Sequence, residues 1–323
     1  MKNNTKKALI WTGVITAGIA AASAVSHKIT KSLVTFALDR KEPKSISRAK
    51  RKVSGSSDAG EFFAEVEKAA KKLEASECEK VEITSRDGTL LTGHWHFCDN
   101  ARRTIIAMHG WRSSWTQDFG IIADFWHESG CNVLYAEQRG QNNSGGDYMG
   151  FGLLERYDCL DWIEWVNGRC RNKLPVYLAG VSMGAATVLM AAGLDLPQNV
   201  HGIAADCGFT SAHDIWKHVA NNNLHISYGL HSSAADELCR RKIQIGTNDY
   251  TTLDAMRKCT VPVLFIHGTD DRFVPVTMTY ENYKACAAPK RLLIVPGADH
   301  GMSYLVDREN YEAAVKSFWH DFD

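Results

Sequence analysis

The stretch Pro175-Val176-Tyr177-Leu178-Ala179-Gly180-Val181-Ser182-Met183-Gly184-Ala185-Ala186-Thr187-Val188-Leu189-Met190 decides how this chain folds. Pro175–Ala179 is a short apolar run of strand character, and it ends directly at a Gly-x-Ser-x-Gly pattern. Ala185–Ala192 begins directly after it and has helix composition. A strand turning sharply into a helix holds the apex residue in a strained conformation, with its side chain projecting above the sheet. Gly180 and Gly184 suit such a turn because a Cβ would collide where strand and helix approach. The helix N-terminus supplies a positive dipole end that favours an anionic intermediate. Ser182 is therefore the expected nucleophile.

Outward from this elbow, strand-like and helix-like runs alternate. Val81–Ser85 and Thr89–Phe97 predict a hairpin turning at Arg86-Asp87-Gly88. Thr104–Met108, Asn132–Ala136, Val176–Ala179, Gly202–Ala205, Val261–Ile266 and Leu292–Val295 are apolar runs too short for helices. Amphipathic stretches such as Trp115–Ser129, Gly152–Val166, Ala185–Gly193 and Val276–Cys286 lie between most of them. The alternation predicts an α/β fold whose mostly parallel central sheet carries helices on both faces. Asp206–Thr260 is too long for a simple connection, and its helix-like pieces read as a short helical cap inserted after the sixth strand.

A serine hydroxyl needs a base to take its proton. His300 is the best placed of thirteen histidines, in the turn Pro296-Gly297-Ala298-Asp299-His300-Gly301 after the last strand. A third group must hold the imidazole in the right tautomer. The strand Val261–Ile266 runs into His267-Gly268-Thr269-Asp270-Asp271-Arg272-Phe273-Val274-Pro275, where two adjacent acids compete. Asp206, at the carboxyl end of the sixth strand, is a further rival.

With these residues in place, the chain from about Val81 to Phe322 resembles the α/β-hydrolase superfamily. Within it, the chain is most similar to bacterial esterase- and acyl-peptidase-like members, some of which carry an N-terminal membrane segment. The resemblance implies the nucleophile-acid-base order Ser182, Asp271, His300. The family's acid turn, H-G-x-x-D-x-x-V-P, maps onto His267 through Pro275 and selects Asp271 over Asp270. It also implies an oxyanion hole formed by the backbone N–H groups of Met183 and Trp111, with His109 structural. Glu137-Gln138-Arg139-Gly140-Gln141-Asn142-Asn143-Ser144 resembles the family's D-x-R-G-x-G-x-S turn but departs at Glu137 and Asn142. The implied activity is cleavage of carboxylic esters through an acyl-enzyme. The second reading is an acyl- or aminopeptidase-like serine peptidase. A catalytically inactive membrane-tethered binding module is the third, and retention of all three triad members argues against it. A neutral histidine base predicts an acid limb near the ordinary histidine value, about 6–7.

The 323 residues carry 37 Lys plus Arg against 37 Asp plus Glu, so there is no basic field of the kind nucleic acid requires. The nine cysteines include no C-x-x-C pair and read as buried small hydrophobes in a reducing compartment. No metal or organic cofactor is implied. The expected partners are a small ester or short acyl-peptide substrate and, through the N-terminus, a membrane.

Ala8–Ser26 is uncharged and lies between Lys2, Lys6, Lys7 and Lys28, Lys31. As a helix it would extend about 28 Å, which predicts a single-pass anchor. The basic residues that follow (Lys28, Lys31, Arg40, Lys41, Lys44) would place the catalytic domain on the cytoplasmic face. Ala22-Ser23-Ala24 offers the alternative of a signal peptide, cleaved on secretion. The expected organisation is an anchor and flank over 1–44, a linker and amphipathic helix over 45–80, and a catalytic domain over 81–323 with its cap at 207–260. Every proposed catalytic group lies beyond Met108, so a chain starting near Ser45 is expected to be fully active.

Overall fold

The computed structural model describes residues 26–41, 60–171 and 173–323. Eight strands form one sheet: β1 (Glu79–Thr84), β2 (Leu90–His96), β3 (Arg103–Met108), β4 (Cys131–Ala136), β5 (Val176–Val181), β6 (Val200–Asp206), β7 (Val263–Gly268) and β8 (Lys290–Val295). Their order is β1-β2-β4-β3-β5-β6-β7-β8. β2 runs antiparallel to both neighbours, and β4, β3, β5, β6, β7 and β8 are mutually parallel. β3 and β4 are buried at every position. Unbroken apolar strands are what a sheet covered on both faces requires.

The two faces are covered by different helices. α3 (Trp115–Glu128) and α11 (Arg308–Phe322) bring Phe119, Trp126, Phe318 and Trp319 onto one face. The expected amphipathic helix Glu61–Ala75 is α2 (Gly60–Glu74), and its Leu73 joins this layer. On the other face, α4 (Glu155–Cys170) and α5 (Met183–Ala191) supply Trp162, Ile163, Val188 and Leu189.

A third apolar cluster lies over the elbow. The β6–β7 connection contains α6 (Ala212–His218), a π-helical turn (Val219–Asn223), α7 (Ser232–Ile243) and α8 (Thr252–Met256). Ile215, Tyr228, Ala235 and Cys239 from this connection pack with Met183 and Phe209. The same cluster takes in Val34 and Leu38 from a helix over residues 26–38, here α1. The parallel strands end towards this roof. α9 (Val276–Ala285) and α10 (Ser303–Val306) complete the helices.

The expected membrane anchor is corrected here. Among the described residues no helix is long and apolar enough to cross a membrane. The run Ala8–Ser26, apart from Ser26, lies outside the described residues. Part of its basic flank belongs to a helix that packs on the fold: Thr30, Val34, Phe36 and Leu38 are buried on α1. Arg40 Nη2 donates to the Asn142 carbonyl at 2.6 Å, and Lys242 pairs with Asp39 at 2.6 Å. Of the charges counted as an orientation signal, Arg40 is thus engaged with the fold itself, and the cytoplasmic-face placement falls with the anchor.

Candidate active site

Ser182 joins β5 to α5 with φ 56° and ψ −117°, the strained apex expected of the elbow. Its N–H donates to the Asp206 carbonyl at 2.9 Å, tying the turn to β6. The two glycines are dictated by contact. A Cβ on Gly180 would lie 2.3 Å from the Gly184 carbonyl oxygen, and one on Gly184 would lie 1.8 Å from the Met108 carbonyl oxygen. Both are below any real carbon–oxygen contact, so the elbow closes only with glycine at each place.

Two turns from distant parts of the chain converge on Ser182. His300 Nε2 lies 2.9 Å from Ser182 Oγ, and His300 Nδ1 lies 2.7 Å from Asp271 Oδ2. The acid turn after β7 and the histidine turn after β8 meet at Gly268, where a Cβ would fall 2.1 Å from the Ala298 carbonyl oxygen. Asp271 Oδ1 accepts from the N–H groups of Phe273 (2.9 Å) and Val274 (2.8 Å), which leaves Oδ2 for histidine. Burial would raise the Asp271 pKa, but the charge of His300 and hydrogen bonds from His267 and His300 outweigh it. They hold the carboxyl well below the usual carboxylate range. Burial would lower the His300 pKa, but the facing Asp271 carboxylate outweighs that and pushes it well above the ordinary histidine value.

The rival acids stand elsewhere. Asp270 is exposed, and its carboxylate accepts from Thr269 Oγ1 at 2.7 Å. Asp206 accepts from Ser303 Oγ at 3.1 Å, and burial pushes it up to about 6.

The loop after β3 is held from several sides. Gly110 N–H donates to Asp118 Oδ2 at 2.6 Å, and Arg112 N–H donates to Gln141 Oε1 at 2.5 Å. The residues on either side of Trp111 are therefore fixed. Met183 opens α5, so its N–H is one of those the helix cannot itself satisfy. His109 is fully buried, and its Nε2 accepts from Gln138 N–H at 3.0 Å. The departures at Glu137 and Asn142 are absorbed locally. Asn142 takes φ 48°, a left-handed conformation asparagine tolerates better than most residues. Glu137 accepts from Asn143 N–H (2.5 Å) and Nδ2 (2.9 Å) and contacts His94 Nε2 at 2.8 Å.

Reasoning from sequence missed three contributors. His267 was read only as part of a pattern; its Nε2 lies 3.0 Å from Asp271 Oδ2, and its Nδ1 lies 2.7 Å from Thr279 Oγ1. Cys207 is buried at φ 50°, and burial pushes its thiol up to about 11. Cys207, Asp271 and His300 offer ligand atoms within 4.8 Å of one another, but the last two are already engaged with each other and with Ser182. The third is α1, whose apolar spacing (Thr30, Val34, Leu38) was visible but was read as the flank of an anchor.

An apolar cavity of about 770 Å³, partly open to solvent, reaches Ser182. Its lining comes from α1, from Trp111 and Phe151, from the β6–β7 connection and from Phe273, and among the described residues it includes no Asp, Glu, Lys or Arg.

Residues 117–322, well over half of the chain, match the prolyl oligopeptidase family. The chain belongs to that family. It is accordingly a serine hydrolase of the α/β-hydrolase fold. Across 318 residues, 97% of either chain, it is 27% identical to the uncharacterized protein YqkD of Bacillus subtilis. The Pyrococcus furiosus esterase Pf2001 superposes with a TM-score of 0.63 at 24% identity, covering 78% of this chain and 93% of that one. An acylaminoacyl peptidase superposes with a TM-score of 0.57 at 16% identity, covering 76% of this chain and 41% of its own. At such identities the structural likenesses speak for the fold. Prolyl oligopeptidase family membership leaves ester and peptide substrates both open.

Proposed function

We propose that this member of the prolyl oligopeptidase family cleaves carboxylic esters, with Ser182 as nucleophile, His300 as base and Asp271 as orienting acid. His300 Nε2 takes the Ser182 proton as Oγ attacks the ester carbonyl, and the N–H groups of Trp111 and Met183 bind the oxyanion. Collapse breaks the bond to the alcohol, which leaves with the proton from His300. Water gives a proton to the same nitrogen as it attacks the acyl-enzyme; the bond to Oγ then breaks, His300 returns that proton to Ser182 Oγ, and the acid departs. Asp271 keeps the Nδ1 proton in place and stabilises the imidazolium.

The observation that carries ester over peptide is the cavity at Ser182. Among the described residues its lining offers no carboxylate to receive the free α-amino group of an aminopeptidase substrate and no cation for a terminal carboxylate. An unpaired charge in such a lining would be costly. The reading is tested by kcat/KM for p-nitrophenyl butyrate against aminoacyl p-nitroanilides. The ester should be turned over faster, and a preference for the anilides would establish the peptidase reading that the family match also supports.

A further inference from the structure

We propose that α1 forms one wall of the acyl-binding pocket, so that this N-terminal helix sets which acyl chains are accepted and selects apolar chains of medium length. The proposal rests on the ester reading and adds to it the substrate class and the element that chooses it.

The first argument is placement. Thr30, Val34 and Ala37 of α1 line the same cavity as Ser182. Phe151, Phe209 and Trp216 line it as well. A chain attached to Ser182 through its carbonyl carbon has this space beside it, and the apolar lining rewards each CH2 group it buries.

The second argument is length. Ala37 stands beside the loop expected to hold the oxyanion, its carbonyl receiving the Trp111 indole N–H at 2.9 Å. Thr30 sits at the other end, beneath α7. Its hydroxyl donates to the Ser26 carbonyl (2.9 Å) and therefore accepts from His231 Nδ1 (2.7 Å). Seven residues of helix separate the two ends, about 10 Å at 1.5 Å per residue. That is the reach of an octanoyl chain and far more than acetyl needs.

The third argument is rigidity. The Arg112 guanidinium donates to the carbonyls of Phe36 (2.8 Å) and Asp39 (2.6 Å), capping the C-terminus of α1. Arg112 follows Trp111 directly, so the helix is clamped by the loop expected to hold the oxyanion. Met149 N–H donates to the Leu38 carbonyl at 2.7 Å and adds a third anchor. A wall held this firmly discriminates by size, since the chain cannot push it aside cheaply.

The test compares acetate, butyrate, octanoate and laurate p-nitrophenyl esters on the full chain. Wild type should prefer octanoate. Val34→Trp should lower the octanoate-to-acetate ratio of kcat/KM at least about tenfold, the scale of discrimination that small changes in an apolar pocket give. Lys31→Ala, on the exposed side of α1, should leave the ratio as it is. Should Val34→Trp fail to fold, Val34→Ala should move the optimum towards laurate. An unchanged ratio in folded Val34 variants would overturn the pocket wall while leaving the ester reading intact. Hydrolysis of none of the four esters would instead sink the ester reading. The wall is then still read from the labelling rate of Ser182 by octyl against methyl fluorophosphonate, which Val34→Trp should reduce and which, if unaltered, would refute it.

Discussion

His267 Nε2 and Asp271 Oδ2 lie 3.0 Å apart, both side chains fully buried, and that same oxygen receives His300 Nδ1. Asp271 is thus fixed by four groups: His267, His300 and the two N–H groups of the turn it closes. Asp271→Asn keeps the shape but presents an NH2 group or an amide oxygen where a carboxylate stood. It should lower kcat by about 10⁴ through loss of the correct tautomer and of the countercharge. Asp270→Asn, in an exposed side chain, should change kcat less than about threefold. Steady-state kinetics ranks the acids, and a larger loss from Asp270→Asn or Asp206→Asn would reassign the role.

Removing the hydroxyl at the elbow tests the nucleophile directly. Ser182→Ala should abolish fluorophosphonate labelling and lower kcat by about four orders of magnitude or more. Far-ultraviolet circular dichroism should be unchanged, since only one oxygen is lost. Labelling that persists in the variant would place the nucleophile elsewhere.

The pH profile follows from the raised His300 pKa. The base must be neutral, so activity falls as pH drops through its folded-state pKa. Sequence alone placed that limb near the ordinary histidine value. With Asp271 facing the ring, it should lie above about 6.5. Asp271→Asn should move it down. The linked stability has opposite signs for the two partners. The His300 contribution is complete below the unfolded histidine value and is lost as pH rises through its raised pKa. The Asp271 contribution is present above the unfolded carboxyl value and is lost as pH falls through its depressed one. A wild-type limb for kcat/KM at or below pH 6 would contradict the His300–Asp271 coupling.

What was legible in the sequence follows from what is local. Ser182, Asp271 and His300 sit in turns that follow strands, so local pattern singled out Ser182 and His300 as candidates, while the choice of Asp271 over Asp270 needed the family's acid turn. The parallel sheet was readable because its strands are unbroken apolar runs between amphipathic stretches. The hold of His267 on Asp271 was not, because it depends on Thr279 from α9 keeping the ring in place. Nor was the position of α1. Its partners Trp111, Arg112 and His231 lie at least about seventy residues away, and an uncharged run beside lysines is a stronger local signal than a short apolar stripe. Asn142 shows the converse. It departs from the family pattern, which left that loop's conformation open in the sequence, yet it is a residue that accepts the left-handed φ glycine would have taken.

The last prediction reverses an expectation. Because every proposed catalytic residue lies beyond Met108, a chain beginning near Ser45 was expected to be fully active. The structure argues otherwise. Such a chain lacks α1, exposing the surfaces that Val34, Phe36 and Leu38 cover, each worth about 1.5–3 kcal/mol when buried, an upper bound before the entropy of ordering the helix is deducted. It also removes the Phe36, Ala37 and Asp39 carbonyls to which Trp111 and Arg112 donate. Two half-buried donors in the loop expected to hold the oxyanion would then lose partners, and Arg112, at φ 51°, would lose part of what maintains its conformation. Deletion of residues 1–41 should therefore lower Tm by several degrees and lower kcat at least about tenfold even on acetate esters. Differential scanning calorimetry and steady-state kinetics on the deleted and full chains read the two effects separately. A deleted chain with full Tm and full kcat would show that the clamp between Arg112 and α1 contributes nothing to the oxyanion loop.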